Sequence, residues 1–163
     1  MRRVLQVSNV LSWINLIFWG LVSFLFLLLG ALGGMFPFLV IGFFLSAVAL
    51  HSYAALQLHK SLRNPAIPLG GQTPTGIRFI GFVALFFGIG CTINSFTILR
   101  NPGESLKLMQ SQMAQAKVIT IPAIRTWCLI TLMLGLSIVV NVFLNFRLLR
   151  WYYFIKAGEK NEK

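Results

Sequence analysis

The sequence predicts an all-α membrane protein with four transmembrane helices in an antiparallel bundle and a short amphipathic helix between helices 3 and 4. No Asp, Glu, Lys or Arg occurs between Arg3 and Lys60, which leaves room for two bilayer crossings of about 20 residues each. Two more charge-free runs, 79–99 and 126–146, are each about one crossing long. Of the 163 residues, 57% are hydrophobic and 10% are charged, which lies outside the range of soluble globular proteins.

The first two spans are predicted at about 10–30 and 38–58. The first apolar run exceeds the 7–15 residues of a signal-peptide core, which favours a span. The uncharged stretch 30–34, followed by Pro37, predicts a tight turn, so the two spans should form an antiparallel hairpin. A connection rich in Pro and Gly follows at 59–76, too rich in helix breakers to be helical throughout.

The third span is predicted at about 77–99 and the fourth at about 123–146. Between them, Asn101 suits a helix N-cap, with Pro102 at the first helical position and Glu104 at the third. Apolar residues then recur at helical spacing, so an amphipathic helix on the membrane surface is expected at about 102–117. Residues 147–163 form a basic, aromatic C-terminal tail, and we expect the whole of 1–163 to be one integral-membrane domain.

The positive-inside rule predicts that both termini face the cytoplasm. We expect the protein to lie in the cell (inner or plasma) membrane. With the N-terminus inside, ten of the 14 basic residues lie on the inner side and four lie outside. The outer four are Arg100, Lys107, Lys117 and Arg125. Because basic residues gather at span ends and in short connections, the formal charge of +11 indicates lipid headgroups as partners and no nucleic acid.

Three polar residues inside spans are the candidate functional site. At about 1.5 Å per residue, Asn15, His51 and Asn141 lie roughly one and a half to two turns from the inner ends of their spans. We expect them to form an intramembrane polar layer, which is open to two interpretations: interhelical hydrogen bonds, or a ligand or proton site. In both, His51 should face the bundle and bond Asn15, Asn141, a nearby hydroxyl or a water.

Small residues mark candidate helix-packing surfaces. A stripe on span three and a pair on span two permit close helix approach, either within the monomer or between copies. These candidates are Gly42, Ser46, Gly81, Gly88, Thr92 and Ser95.

The C-terminal tail interleaves cations with aromatic residues. Trp and Tyr favour headgroup depth and Arg or Lys can reach lipid phosphates, so the segment is a membrane anchor or a site for anionic lipids. The candidate lipid contacts are Arg147, Arg150, Trp151 and Lys156.

The sequence lacks the residues that several membrane-protein activities require. The only acids, Glu104, Glu159 and Glu162, lie outside the spans, whereas coupled transport usually needs an embedded carboxylate. There is no HExxH motif, and Cys91 and Cys128 lie in separate spans without a CxxC pair. We therefore predict no catalytic, metal-binding or cofactor-binding residue, no cofactor and no enzymatic activity.

Two functions fit these observations. The first is an accessory or structural subunit that interacts with other membrane proteins, favoured by the small-residue and amphipathic surfaces. The alternative is a homo-oligomeric channel or transporter in which the Asn15–His51–Asn141 layer lines a path. A hetero-complex would support the first function, and a homo-oligomer with a wet central path would support the second.

Overall fold

The computed structural model describes residues 2–64, 66–112 and 119–161. Over these ranges the chain forms five helices: α1 (Arg2–Gly33), α2 (Phe36–Arg63), α3 (Thr73–Arg100), α4 (Pro102–Gln112) and α5 (Ile121–Asn161). Four of them, α1, α2, α3 and α5, are long and apolar enough to cross a membrane. The predicted fold class is confirmed. Positions 113–117 of the predicted amphipathic stretch and the last two residues of the tail lie outside the described residues.

Two compact units make up the chain. The first comprises Met1–Phe86 and Ile138–Lys163, and the second comprises Phe87–Ser137. The first unit therefore contains α1, α2, the first half of α3 and the second half of α5, which form the antiparallel four-helix arrangement. The second contains α4 with the remaining halves of α3 and α5. That the chain is one integral-membrane domain stays a prediction.

The turn between α1 and α2 is as short as the sequence predicts. Gly34 has a φ of 62°, a left-handed conformation that glycine adopts without a Cβ penalty. The Met35 N–H donates to the Gly30 carbonyl over 3.1 Å, as in a Schellman helix ending. Pro37 then lies in the first turn of α2, where its missing N–H leaves no helix bond unmade.

Two glycines let α1 and α2 approach closely. A Cβ on Gly30 would lie 2.9 Å from the backbone N of Leu39, and a Cβ on Gly42 would lie 2.8 Å from the side chain of Leu27. Each glycine thus faces a leucine of the other helix, so the hairpin is packed as tightly as its backbones allow.

The helices extend beyond the predicted spans. α1 begins eight residues before the predicted span, α2 ends five residues after its span, and α5 continues to Asn161. At about 1.5 Å per residue, the 41-residue α5 is roughly 60 Å long, about twice the hydrocarbon thickness. The predicted spans ended where hydrophobicity ended, but backbone hydrogen bonds continue the helices through the polar residues that follow.

An apolar cluster joins all four segments of the first unit at one end. Leu58, Ile77, Leu148 and Leu149 are at most 2% exposed and pack together, with Leu5 of α1 against them. We call this end of the first unit the basic end, because the cationic residues of the four segments flank the cluster along the chain. They are Arg2, Arg3, Lys60, Arg63, Arg78, Arg147 and Arg150.

The second unit includes the amphipathic helix. α4 begins at Pro102, as predicted, and the Ser105 N–H donates to the Asn101 carbonyl over 3.2 Å. An apolar cavity of about 390 Å³ in this unit is lined by residues that include Met109 of α4 and Trp127 of α5. That α4 lies in the membrane plane stays a prediction.

Candidate functional site

α1 buries polar side chains and exposes apolar ones. Ser8, Ser12, Asn15 and Ser23 lie along one helical face and are at most 4% exposed, whereas Leu21 on the opposite face is 67% exposed. This is the reverse of a soluble helix. In hydrocarbon, polar groups have no water to bond, so they gather inside and bond one another.

Asn145 of α5 is the centre of a buried hydrogen-bond network in the first unit. Its Oδ1 accepts from the Ser8 hydroxyl over 2.7 Å and lies 2.9 Å from His59 Nε2. Its Nδ2 donates to Asn141 Oδ1 over 3.1 Å, one turn earlier on the same helix. One side chain thereby connects α1, α2 and α5.

The network determines which nitrogen of His59 carries a proton. Asn145 Oδ1 can only accept, so His59 must donate from Nε2. Ser8 Oγ, which gives its own proton to Asn145, lies 3.1 Å from the same Nε2 and accepts from it. In the neutral ring Nδ1 is then an acceptor, and it has no hydrogen-bond partner among the described residues.

Asn141 continues the network toward the middle of α1. Its Oδ1 accepts from Asn145 Nδ2 and from the Ser12 hydroxyl, the latter over 3.0 Å. We call these residues the polar chain, and they are Ser8, Ser12, His59, Asn141 and Asn145. Every member is at most 1% exposed, so the chain is an interior set of neutral hydrogen bonds that holds three helices together.

All three residues of the predicted layer are buried in the first unit. Asn15 is 0% exposed, and His51 and Asn141 are each 1% exposed. Asn141 belongs to the polar chain. His51 faces the bundle as expected, but neither ring nitrogen is hydrogen-bonded to a described group, so the expected bond to Asn15, Asn141 or a hydroxyl is not formed.

His51 is held by packing. Gly81 of α3 lies against its ring, because a Cβ on Gly81 would be 3.0 Å from His51 Nδ1. Phe146 of α5 meets the ring edge-on with 6.3 Å between centroids. The backbone of Ile77 interacts electrostatically with the imidazole, but outside hydrogen-bonding geometry. The histidine side chain therefore fills space between α2, α3 and α5.

Two members of the polar chain, Ser8 and His59, are not among the candidate residues predicted from the sequence. Both lie outside the predicted spans, because the first span was started at residue 10 and the second was ended at residue 58. A usable signal was present: His59 lies eight residues after His51, two turns along the same face of α2. The helical face that contains His51 thus continues past the hydrophobic run to His59.

A second, smaller polar contact joins α1 and α2 closer to the turn of the hairpin. The Ser23 hydroxyl lies 2.9 Å from the Gly42 carbonyl and 2.7 Å from the Ser46 hydroxyl. Ser46 also donates to the Gly42 carbonyl over 2.9 Å. The predicted packing pair Gly42 and Ser46 is thus in contact with α1 of the same chain.

The predicted stripe on α3 also faces its own chain. In the first unit, Gly81 lies against His51 and Phe146. In the second unit, a Cβ on Gly135 of α5 would be 2.8 Å from Thr92 Oγ1 and 3.0 Å from the Gly88 carbonyl. Ser95 is 2% exposed. These small residues thus make contacts within their own chain, and their use between copies stays a prediction.

The candidate lipid-contact residues lie on α5 at the basic end. Arg147 and Arg150 are exposed, and the Lys156 ammonium lies 5.8 Å from the centroid of the Tyr152 ring. Trp151 lines a cavity of about 320 Å³ together with Arg2 and other residues of α1 and α2.

A larger cavity at the basic end, of about 540 Å³, lies between α3 and α5. We call it the basic groove, and its lining residues are Arg78, Phe82, Phe146, Leu149, Arg150 and Tyr153. Arg150 is one of the candidate lipid contacts predicted from the sequence, whereas Arg78, which lies far away in sequence, is not.

Over the described ranges, no group of three or more His, Cys, Asp or Glu side chains is arranged to hold a metal ion. Cys91 and Cys128 are free thiols. Comparison of the chain with protein-family models, curated proteins and solved structures finds no match.

Proposed function

We propose that this chain is a small, non-enzymatic protein of the cell membrane that serves as an accessory or structural subunit for other membrane proteins. The polar chain supports this proposal, because its side chains bond one another and so stabilise a scaffold of three helices. The scaffold leaves bulky apolar faces directed outward, where another membrane protein can pack.

The observation that carries the proposal is the outward face of α1. Exposed apolar residues recur there at alternating spacings of three and four over more than 20 residues, which is the heptad pattern of a helix–helix seam. They are Val7, Val10, Ile14, Ile17, Leu21, Phe24 and Leu28, each 42–67% exposed. We call this face the α1 seam. Its regular repeat suits a partner transmembrane helix that crosses at a small angle.

Site-specific photo-crosslinking in native membranes tests the proposal. A photoreactive residue in place of Leu21, on the α1 seam, is expected to give an adduct with a different membrane protein. Phe43 of α2 is the matched control, since its exposure of 69% is close to the 67% of Leu21. The same adduct from both positions, or only lipid adducts from Leu21, would reject the α1 seam as the contact surface.

The second candidate, a homo-oligomeric channel or transporter, is supported by the polar chain as a row of hydrogen-bonding groups inside the first unit. In the same experiment an adduct of Leu21 with a second copy of the chain would favour it. If an ion or solute passes along these groups, Asn141→Leu should abolish its flux into proteoliposomes. An accessory subunit would show no such flux with or without the substitution.

We further propose that both termini and the basic end face the cytoplasm, since most basic residues gather there. In a variant with Cys91 and Cys128 replaced by alanine, Lys107→Cys is expected to react with an impermeant maleimide added outside cells. Gly158→Cys is expected to react only after the cells are permeabilised. Its labelling after permeabilisation shows that the introduced thiol is reactive. External labelling of Gly158→Cys in intact cells would contradict this orientation.

A further inference from the structure

We propose that the basic groove binds the headgroup of one anionic phospholipid, with the phosphate between Arg78 and Arg150 and the start of the acyl chains against Phe82 and Phe146. This inference is independent of whether the protein is an accessory subunit or a transporter. It rests on the charge, the shape and the position of the groove.

Charge complementarity is the first argument. Arg78 of α3 and Arg150 of α5 both line the groove, and no acidic side chain is among its described lining residues. A guanidinium presents paired N–H donors that match phosphate oxygens, and it stays charged at any physiological pH. A zwitterionic lipid would bring its own ammonium close to these two guanidinium groups, so a headgroup with net negative charge is favoured.

The groove is also partly organised before any ligand binds. The Arg78 guanidinium carbon lies 5.5 Å from the centroid of the Tyr153 ring, a cation–π distance that directs the side chain toward α5. Phe82 and Phe146 pack with 5.5 Å between ring centroids and form an apolar wall. The volume of about 540 Å³ falls within the 300–1,000 Å³ typical of small-molecule sites.

Position along the helices matches the two parts of a lipid. Arg78 lies one residue inside the predicted start of span three, and Arg150 lies four residues beyond the predicted end of span four. Both are therefore at headgroup depth, whereas Phe82 and Phe146 lie on the hydrocarbon side. Phe82 is 64% exposed, so the groove is open to a lipid from the bilayer.

Native mass spectrometry of the full chain, titrated with phosphatidylglycerol in mild detergent, tests the site. We expect one phosphatidylglycerol to bind more tightly than phosphatidylcholine with the same acyl chains. Arg78→Gln and Arg150→Gln should each weaken that binding about tenfold, as for a lost hydrogen bond to a charged group. Arg3→Gln is the matched control: it is exposed at the basic end but outside the groove, and it should change binding less than about twofold.

Several results would overturn the proposal. Equal loss from Arg3→Gln and Arg150→Gln would mean that the positive field of the basic end attracts lipid without a site. Loss from Arg2→Gln and Arg63→Gln alone would place the lipid in the smaller cavity of that end. Glycerophosphoglycerol is the same headgroup without acyl chains. If it bound as tightly as the lipid, the apolar wall would have no role in binding.

A substitution that keeps the charge separates the site from any folding defect. Phe82→Trp adds bulk to the wall of the groove at an exposed position. We expect it to weaken phosphatidylglycerol binding while the thermal unfolding temperature in phosphatidylcholine micelles is unchanged. Unchanged phosphatidylglycerol binding in Phe82→Trp would count against the groove.

Discussion

Asn145→Leu is expected to lower the free energy of unfolding by about 2 kcal/mol, because the side chain makes three buried hydrogen bonds, each worth about 0.6 kcal/mol in a membrane protein. Leucine has a similar volume, so little cavity forms. The cost arises because Ser8 and His59 lose a buried partner in hydrocarbon. Reversible unfolding in mixed micelles, followed by circular dichroism, measures the change.

The matched control is His51→Leu, because His51 is 1% exposed and Asn145 is 0% exposed. His51 makes no hydrogen bond to a described group, so its replacement by an apolar side chain should change stability by less than about 0.5 kcal/mol. A double-mutant cycle of Ser8→Ala with Asn145→Leu should show coupling, since the two side chains bond each other. Additive effects, or equal effects of Asn145→Leu and His51→Leu, would show that the network does not stabilise the fold.

Gly30→Ala is expected to destabilise the α1–α2 hairpin by about 2 kcal/mol, within the range measured for overpacked sites. The added Cβ would lie 2.8 Å from the Leu39 side chain and 2.9 Å from its backbone N, so the two helix backbones must separate. The same unfolding assay measures the effect. Gly20→Ala, on the same helix, is the control.

At Gly20 a Cβ would lie 3.9 Å from that of Ala49, an ordinary contact. Gly20→Ala should therefore be neutral or stabilising by up to about 1 kcal/mol, because alanine has the higher helix propensity. Adding Leu39→Ala to Gly30→Ala should recover only part of the loss, since the backbone contact is still present. A hairpin that tolerates Gly30→Ala as well as Gly20→Ala would contradict the close approach.

Much of the fold could be predicted from local features of the sequence. Apolar length predicts the number of crossings, and Gly and Pro in a short turn predict the hairpin of α1 and α2. The sequence Asn-Pro-Gly-Glu at 101–104 predicts the start of α4 at Pro102. Helix ends were less predictable, because backbone hydrogen bonding continues past the last apolar residue. That is why Ser8 and His59 were placed outside the spans.

The candidate site was predicted only in part, for a physical reason. Depth along a helix can be counted from sequence, so the burial of Asn15, His51 and Asn141 was foreseeable. Rotation of one helix about its axis relative to another cannot be counted in this way. His51 and His59 lie on one face of α2, yet only His59 meets Asn145. Gly81 and Phe146 pack against His51, and its ring nitrogens have no hydrogen-bond partner among the described residues.

The sequence by itself determined that this protein has four spanning helices and an amphipathic connection, because those features depend on hydrophobic length and local helix signals. Only the tertiary structure decided which polar side chains bond, which small residues face their own chain, and that Arg78 and Arg150 line one groove. These are contacts between residues as much as 137 positions apart, as for Ser8 and Asn145. Such contacts depend on how the helices rotate and close against one another.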